Sequence, residues 1–312
     1  MDIQFRRWWN EDTVAVVTGG NKGIGLEVCK QLGAAGLKVV VTARNADKGQ
    51  RALDTLRNEG LQNVSFHQLD VTDEESCATL ASWLSEEYGG IDILVNNAGV
   101  IGVVLDDVYM RENNIKLQDL MWKNMDRAEG FIVDYEIARA CIDTNYYGAK
   151  HVTEAVLPLI RPSVHGARIV NVGSTAGQLN NLRCSKLQKE LADLENVSEA
   201  SIDKFLDMYL NDVKQQNWKD KCWPLKYTSY KVSKIALHTY TRLLARQLEE
   251  RGDGNKVFVN CVHPGFTNTD MTANVGDISV KEGAENIVHV ALLPSEVCPS
   301  GQFYDENKPA LF

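Results

Sequence analysis

Tyr230 and Lys234 stand four residues apart in Tyr230-Lys231-Val232-Ser233-Lys234-Ile235-Ala236-Leu237, a run that reads as helix. Side chains at i and i+4 share a helix face, so the ammonium sits beside the phenol. A neighbouring positive charge favours phenolate and lowers a phenol pKa from its usual ~10 toward neutrality, where proton transfer at pH 7 becomes feasible. Ser174 follows the apolar run Ile169-Val170-Asn171-Val172-Gly173. A hydroxyl there can donate to a substrate oxygen as negative charge develops on it. Asn145, in Thr144-Asn145-Tyr146-Tyr147-Gly148, precedes a helical pattern; it reads either as an N-cap or as the holder of a water that reconnects Lys234 to solvent. The six histidines form no cluster at metal-ligand spacing, so no metal is expected, and His263 is read as part of a turn.

A second constellation lies near the start of the chain. Thr18-Gly19-Gly20-Asn21-Lys22-Gly23-Ile24-Gly25 falls between a β-branched run and a helical pattern from Leu26 to Leu32. Glycines in that place let the backbone turn sharply and approach a pyrophosphate, whose charge is received by the helix N-terminus. Gly19, Asn21, Lys22, Gly23, Ile24 and Gly25 are therefore expected against a dinucleotide. The next apolar run ends in Thr42-Ala43-Arg44, with no acid before Asp47 to hold a ribose 2′-hydroxyl. Arg44 and Lys22 offer two cations instead, which suits a 2′-phosphate and predicts NADP(H). Asp70 and Val71 are expected near the adenine, and Asn97, Ala98 and Gly99 near the adenosine ribose. His263-Pro264-Gly265-Phe266-Thr267-Asn268-Thr269 reads as a turn closing over the nicotinamide: Pro264, Gly265 and Thr269 face the cofactor, while Phe266, with Tyr147, walls the substrate pocket.

The elements that must carry these residues are legible as period. Val14–Thr18, Lys38–Thr42, Val64–Leu69, Ile91–Asn96, Arg168–Val172 and Val257–Val262 are apolar runs without alternation, as in strands buried on both faces, and helical patterns separate them. The expected fold is α/β: a Rossmann-type, doubly wound parallel sheet in a single domain over 1–312. Two stretches exceed the minimal alternation, about 102–138 before Asn145 and about 178–226 before Tyr230. The second holds an amphipathic helix with Ser198 as N-cap and Ile202, Phe205, Leu206, Tyr209 and Val213 on one stripe, expected to be extra core or a lid over the substrate.

The chain's 312 residues, 44% of them hydrophobic, suffice for a full core, and its net charge of −9 argues against nucleic acid or an anionic membrane as partner. No stretch approaches the ~20 apolar residues that cross a bilayer, and Met1 to Thr13 lacks the apolar run of a signal peptide. The seven cysteines are scattered, with no pair at metal or redox spacing, and read as small buried hydrophobes of a reducing cytoplasm.

In order along the chain, Thr18-Gly19 to Gly25, Asp70, Asn96 to Gly99, Asn145, Ser174, Tyr230 to Lys234 and Pro264-Gly265 resemble the short-chain dehydrogenase/reductase family. The long segment before Tyr230 and the tail Pro299-Ser300-Gly301-Gln302-Phe303-Tyr304 resemble its monomeric carbonyl reductase branch. The resemblance implies Asn145, Ser174, Tyr230 and Lys234 as a catalytic tetrad, hydride leaving the pro-S face of the nicotinamide, and a monomer. It departs at Gly173, where many relatives have serine, at His263, where cysteine is common, and at Thr267, where an aliphatic residue is usual. The expected activity is NADPH-dependent reduction of an apolar ketone or aldehyde of terpenoid, alkaloid or quinone-like kind, reversible on the same groups. Reduction of a conjugated C=C bond in an enone is the enzymatic alternative, and an NADPH-binding regulator without turnover the non-enzymatic one.

Overall fold

The computed structural model describes residues 7–114, 131–252 and 254–312. All six apolar runs are strands: β1 (Val14–Val17), β2 (Lys38–Ala43), β3 (Val64–Gln68), β4 (Ile93–Asn96) and, after a small antiparallel pair β5 (Val104–Leu105) and β6 (Phe131–Ile132), β7 (Ala167–Val172) and β8 (Val257–His263). Two short strands near the C-terminus, β9 (Phe303–Asp305) and β10 (Lys308–Ala310), had no counterpart among the expected runs. The main sheet has the order β10-β9-β8-β7-β4-β1-β2-β3, parallel throughout except between β9 and β10.

Among the described residues the α-helices are α1 (Gly23–Ala34), α2 (Ala46–Asn58), α3 (Glu74–Tyr88), α4 (Asp107–Glu112), α5 (Tyr135–Ile142), α6 (Gly148–Val156), α7 (Ser185–Ala192), α8 (Glu199–Lys214), α9 (Thr228–Glu250) and α10 (Val280–Ala291). Alternate residues of β1 feed two cores. Val14 and Val16 pack with side chains of α3, α6 and α9, whereas Ala15 and Val17 pack with α1, α2 and α10. With apolar layers on both faces, no strand residue of β1 or β4 meets water, which explains their unbroken hydrophobic text. The chain leaves β1 toward β2 and β3, then returns to β4 on the other side. The carboxyl ends of β1 and β4 therefore flank the crevice where doubly wound sheets bind ligands.

A buried polar seam crosses the sheet at this level. Asn96 Nδ2 donates to Asn171 Oδ1 and to Thr153 Oγ1, each at 2.9 Å, and Asn171 Nδ2 donates to Thr241 Oγ1 at 2.9 Å. Asn96 and Asn171 are register partners, so a slip of β4 against β7 would strand several amide groups away from water.

The amphipathic stripe before Tyr230 is core. Ser198 caps α8 with a reciprocal Ser198–Ser201 capping box, and Ile202, Phe205, Leu206, Tyr209, Leu210 and Val213 are buried against α5 and α9. Trp223 closes the packing: its ring lies 5.4 Å from Phe205 and 5.2 Å from Tyr209 between centroids, and its Nε1 donates to Asp212 Oδ2 at 2.8 Å. The middle of the excursion from Gly102 to Phe131, like Arg6 in the N-terminal segment, lies outside the described residues.

The cysteine expectation needs correction. Cys184 and Cys222 form a disulfide, with Cα atoms 5.1 Å apart, across the base of the segment that holds α7 and α8. Their separation of 38 residues carries no spacing signal, because folding and not local sequence brings them together. Cys29, Cys77, Cys141, Cys261 and Cys298 are buried thiols, as expected.

Leu206→Ala should lower unfolding stability by about 3 kcal/mol, read from the urea midpoint, because a fully buried side chain would leave a cavity between helices. Alkylation under denaturing, non-reducing conditions should modify the five unpaired cysteines and spare Cys184 and Cys222 until a dithiol is added. Peptide mass mapping that found both alkylated beforehand would remove the disulfide.

Candidate active site

A cavity of about 430 Å³ opens at the carboxyl edge of the sheet. Its wall draws on the first turn of α1 (Ile24), the ends of β4 (Asn97, Gly99), β7 (Val172 to Ala176) and β8 (His263 to Thr267), and on α9 (Tyr230, Lys231, Lys234).

The glycine-rich turn is stitched to β4 from below. Thr18 Oγ1 accepts from the backbone N–H groups of Asn97 and Ala98, each at 2.9 Å, while Asn97 Nδ2 donates to the carbonyls of Thr18 at 2.8 Å and Gly19 at 3.2 Å. Gly19 and Gly23 have φ of 64° and 54°, a region costly for residues with a Cβ. A Cβ on Gly25 would lie 2.5 Å from the Gly19 carbonyl oxygen, whereas one on Gly23 would meet nothing nearer than Thr269 Cγ2 at 3.8 Å. The turn is thus tight beneath and open above. No side chain of Lys22, the residue preceding α1, caps the helix, which leaves first-turn N–H groups facing the open side. That geometry fits a pyrophosphate.

Lys22 Nζ pairs with Asp270 Oδ2 at 2.9 Å across the cleft, an exposed bridge of small energetic weight, and Arg44 stands exposed beyond β2. Asp70 Oδ1 accepts from the Thr72 N–H at 3.0 Å and its hydroxyl at 2.7 Å, and Val71 packs toward Gly148.

On the opposite wall, Ser174 begins a short 3₁₀ turn (Thr175–Gly177), and its Oγ accepts from the Ala176 N–H at 3.1 Å. The same hydroxyl shares the cavity wall with the Tyr230 phenol and acts to lower its pKa. Lys234 Nζ lies 5.6 Å from the Tyr230 ring centroid and donates to the Val172 carbonyl at 2.7 Å. Tyr230, Lys234 and Ser174 therefore meet as the spacing required. The electrostatics differ from expectation: burial pushes the phenol up to about 12, against the opposing Ser174 hydroxyl, and pushes Lys234 down to about 8. Desolvation penalises the charged form of each group, and the ammonium is directed to Val172 rather than to the phenol.

Asn145 is not an N-cap. It lies within a π-helical turn (Asp143–Tyr147) between α5 and α6, where its Oδ1 accepts from Val100 N–H at 2.8 Å and its Nδ2 donates to the Val100 carbonyl and to Ser233 Oγ, each at 2.9 Å. Such turns within helices are frequent at functional sites. Tyr147 does not line the cavity: its hydroxyl donates to Asp203 Oδ1 at 3.0 Å and its ring packs on Tyr146 and His151, tying the π turn to α8. Trp218 and Trp223, the tryptophans of the segment before Tyr230, are core residues and do not line the cavity. Pro264, Gly265, Phe266 and Thr269 do line the cavity, as does His263, which burial pushes down to about 4 and so keeps neutral.

Ile101, Asn181, Tyr227, Met271 and Thr272 also line it and were missed. They share no period or motif, and reach the site only through loop geometry. Thr18 was visible in the glycine run, but its role as the buckle between β1 and β4 depends on a partner 79 residues away.

Residues 13–185 and 224–278 match the short chain dehydrogenase family. The chain is 40% identical to a (+)-neomenthol dehydrogenase of Arabidopsis thaliana, with 96% of this chain and 97% of the relative covered. It is 35% identical to human carbonyl reductase [NADPH] 1, with 95% and 96% covered. Among solved structures, salutaridine reductase from Papaver somniferum superposes with a TM-score of 0.83 at 38% identity, covering 94% of this chain and 99% of that one. With the glycine turn, the Ser174–Tyr230–Lys234 group and the sheet order all in place, the chain belongs to the short-chain dehydrogenase family.

Proposed function

We propose that the protein is an NADP(H)-dependent carbonyl reductase, and in reverse an alcohol dehydrogenase, acting on an apolar ketone or aldehyde of terpenoid, alkaloid or quinone-like kind. The observation that carries this reading is the meeting of Ser174, Tyr230 and Lys234 on the wall of one cavity, whose apolar lining includes Ile24, Ile101, Phe266 and Met271. Relatives named for neomenthol, salutaridine and carbonyl reduction support the substrate class.

Bound NADPH supplies the hydride. Tyr230, a protonated phenol at neutral pH, gives its proton to the carbonyl oxygen as that oxygen gains charge. Ser174 Oγ donates to the same oxygen. Lys234 balances the phenolate left behind and would hold the ribose hydroxyls of the cofactor, and Asn145 holds the Gly99–Val100 backbone beside it. Gly19, Asn21, Gly23, Ile24 and Gly25 would take the pyrophosphate, Lys22 and Arg44 the 2′-phosphate, Asp70 and Val71 the adenine, and Asn97 to Gly99 the adenosine ribose. Pro264, Gly265 and Thr269 would border the nicotinamide. Lys22 can serve only by leaving Asp270, an exchange a doubly charged phosphate favours over one exposed carboxylate.

The same reading treats about 102–138 and 178–226 as insertions in one domain; the gap at 186–223 in the family match supports the second, while the match runs through the first. It makes the protein a monomer, supported by α8 lying over α5 and α9, and cytoplasmic, supported by five buried thiols, with the Cys184–Cys222 bond the feature that runs against that compartment.

Tyr230→Phe should lower kcat for ketone reduction at least about 100-fold while NADPH still binds, measured by absorbance and by cofactor fluorescence. Because the raised pKa keeps the phenol protonated, reduction should slow only as pH climbs toward about 12, while alcohol oxidation, which needs the phenolate, should rise with pH. A Tyr230→Phe variant with near-normal turnover would remove the mechanism. Arg44→Ala should raise the KM for NADPH about tenfold relative to that for NADH, and unchanged preference would overturn the phosphate assignment.

A further inference from the structure

One buried titratable group beside the site has no part in the chemistry above. His238 lies on α9 one turn beyond Lys234 and is 1% exposed. Its Nε2 accepts from the Ser174 backbone N–H at 3.4 Å, so the ring proton sits on Nδ1. Nδ1 is buried and has no hydrogen-bond partner. A polar atom left so is destabilising, and a leucine of similar bulk would avoid the penalty.

The surroundings show what the imidazole does. A Cβ on Gly173 would lie 2.5 Å from His238 Nε2, and one on Gly177 2.6 Å from the same atom. The ring, together with Cys261 Sγ on the Gly173 side, therefore occupies the room that side chains at both ends of the Ser174 turn would need. Phe303 and Phe312 close over it, with ring centroids 4.6 and 5.4 Å away. Burial, with Lys234 and His263 nearby, keeps it neutral and hence able to accept. Along α9, Lys234 holds the Val172 carbonyl, His238 the Ser174 N–H and Thr241 the Asn171 amide, so one helix face grips the end of β7 and the turn after it at three points.

From this geometry we propose that His238 is a positioning residue for Ser174, holding the Gly173–Gly177 turn so that the serine hydroxyl faces the substrate oxygen. The inference rests on the reading of Ser174 as donor to that oxygen. A double-mutant cycle in the full chain tests it, with His238→Leu removing the acceptor, His238→Gln keeping one near the Nε2 position, and each combined with Ser174→Ala. His238→Leu should lower kcat about 10-fold or more at unchanged KM for NADPH, and His238→Gln should recover most of it. In the Ser174→Ala background the His238→Leu loss should shrink to within about twofold. Equal losses for Leu and Gln, or a loss that persists undiminished without the serine hydroxyl, would overturn the proposal. If His238→Leu does not fold, His238→Asn replaces it: its shorter amide draws the acceptor back, so kcat should fall below that of His238→Gln, and equal rates would overturn the proposal. A silent Ser174→Ala would instead defeat the reading of Ser174 and the inference with it.

Discussion

The site depends on how a buried ammonium is satisfied. Lys234 is 5% exposed and has no carboxylate partner among the described residues; its hydrogen bond goes to the Val172 carbonyl, the last of β7. An uncompensated charge at that depth is expensive, so α9 can dock only where a strand end presents a free acceptor. A parallel strand has such acceptors at its carboxyl end, where the ladder stops. The same constraint brings Tyr230, one turn earlier on α9, over the cavity, and sets Ser174, two residues beyond Val172, against its phenol. Geometry that serves chemistry is therefore fixed by a demand of folding.

The other wall follows from a comparable requirement. β1 and β4 part at the crevice, and the backbone groups that leave the ladder there need partners. Thr18 and Asn97 supply them, each joining side chain to backbone across the gap. With the underside of the glycine turn held so closely that Gly25 tolerates no Cβ, the first N–H groups of α1 are directed to the opposite side. A turn stiffened from below presents its anion site at little further loss of conformational freedom.

Much of this was legible in the sequence because it is periodic or local. Strands buried on both faces are unbroken apolar runs, Tyr230 and Lys234 are one helical turn apart, and the glycine run lies between a strand and a helix. What stayed hidden depends on distant partners. Tyr147 reads as a pocket aromatic, yet Asp203 on α8 draws its hydroxyl away; Asn145 reads as either a cap or the holder of a water, and the distant Val100, which engages both ends of its amide, excludes the cap. Cys184 and Cys222 carried no spacing signal for the same reason. The expected fall in the Tyr230 pKa counted a charge at helical spacing but not the desolvation that the cavity imposes on both groups.

The segment before Tyr230 shows how a packed interior can govern a pocket it never touches. Its middle, α8 with Trp223, is core, while its ends reach the cavity through Asn181, Lys226 and Tyr227. Tyr227 has φ 49° and ψ 39°, left-handed for a bulky residue, and strain of that kind costs about 1–3 kcal/mol and persists only where surrounding structure over-determines it. Here the restraint is visible on each side. Tyr209 of α8 hydrogen-bonds Ser229 at 2.8 Å just after the strained residue, and the Arg183 N–H donates to the Cys222 carbonyl at 2.7 Å beside the disulfide just before it. The buried stripe of α8 thus holds the strained entry to the catalytic helix, which leaves the residues at its two ends free to differ in shape without disturbing where Tyr230 stands.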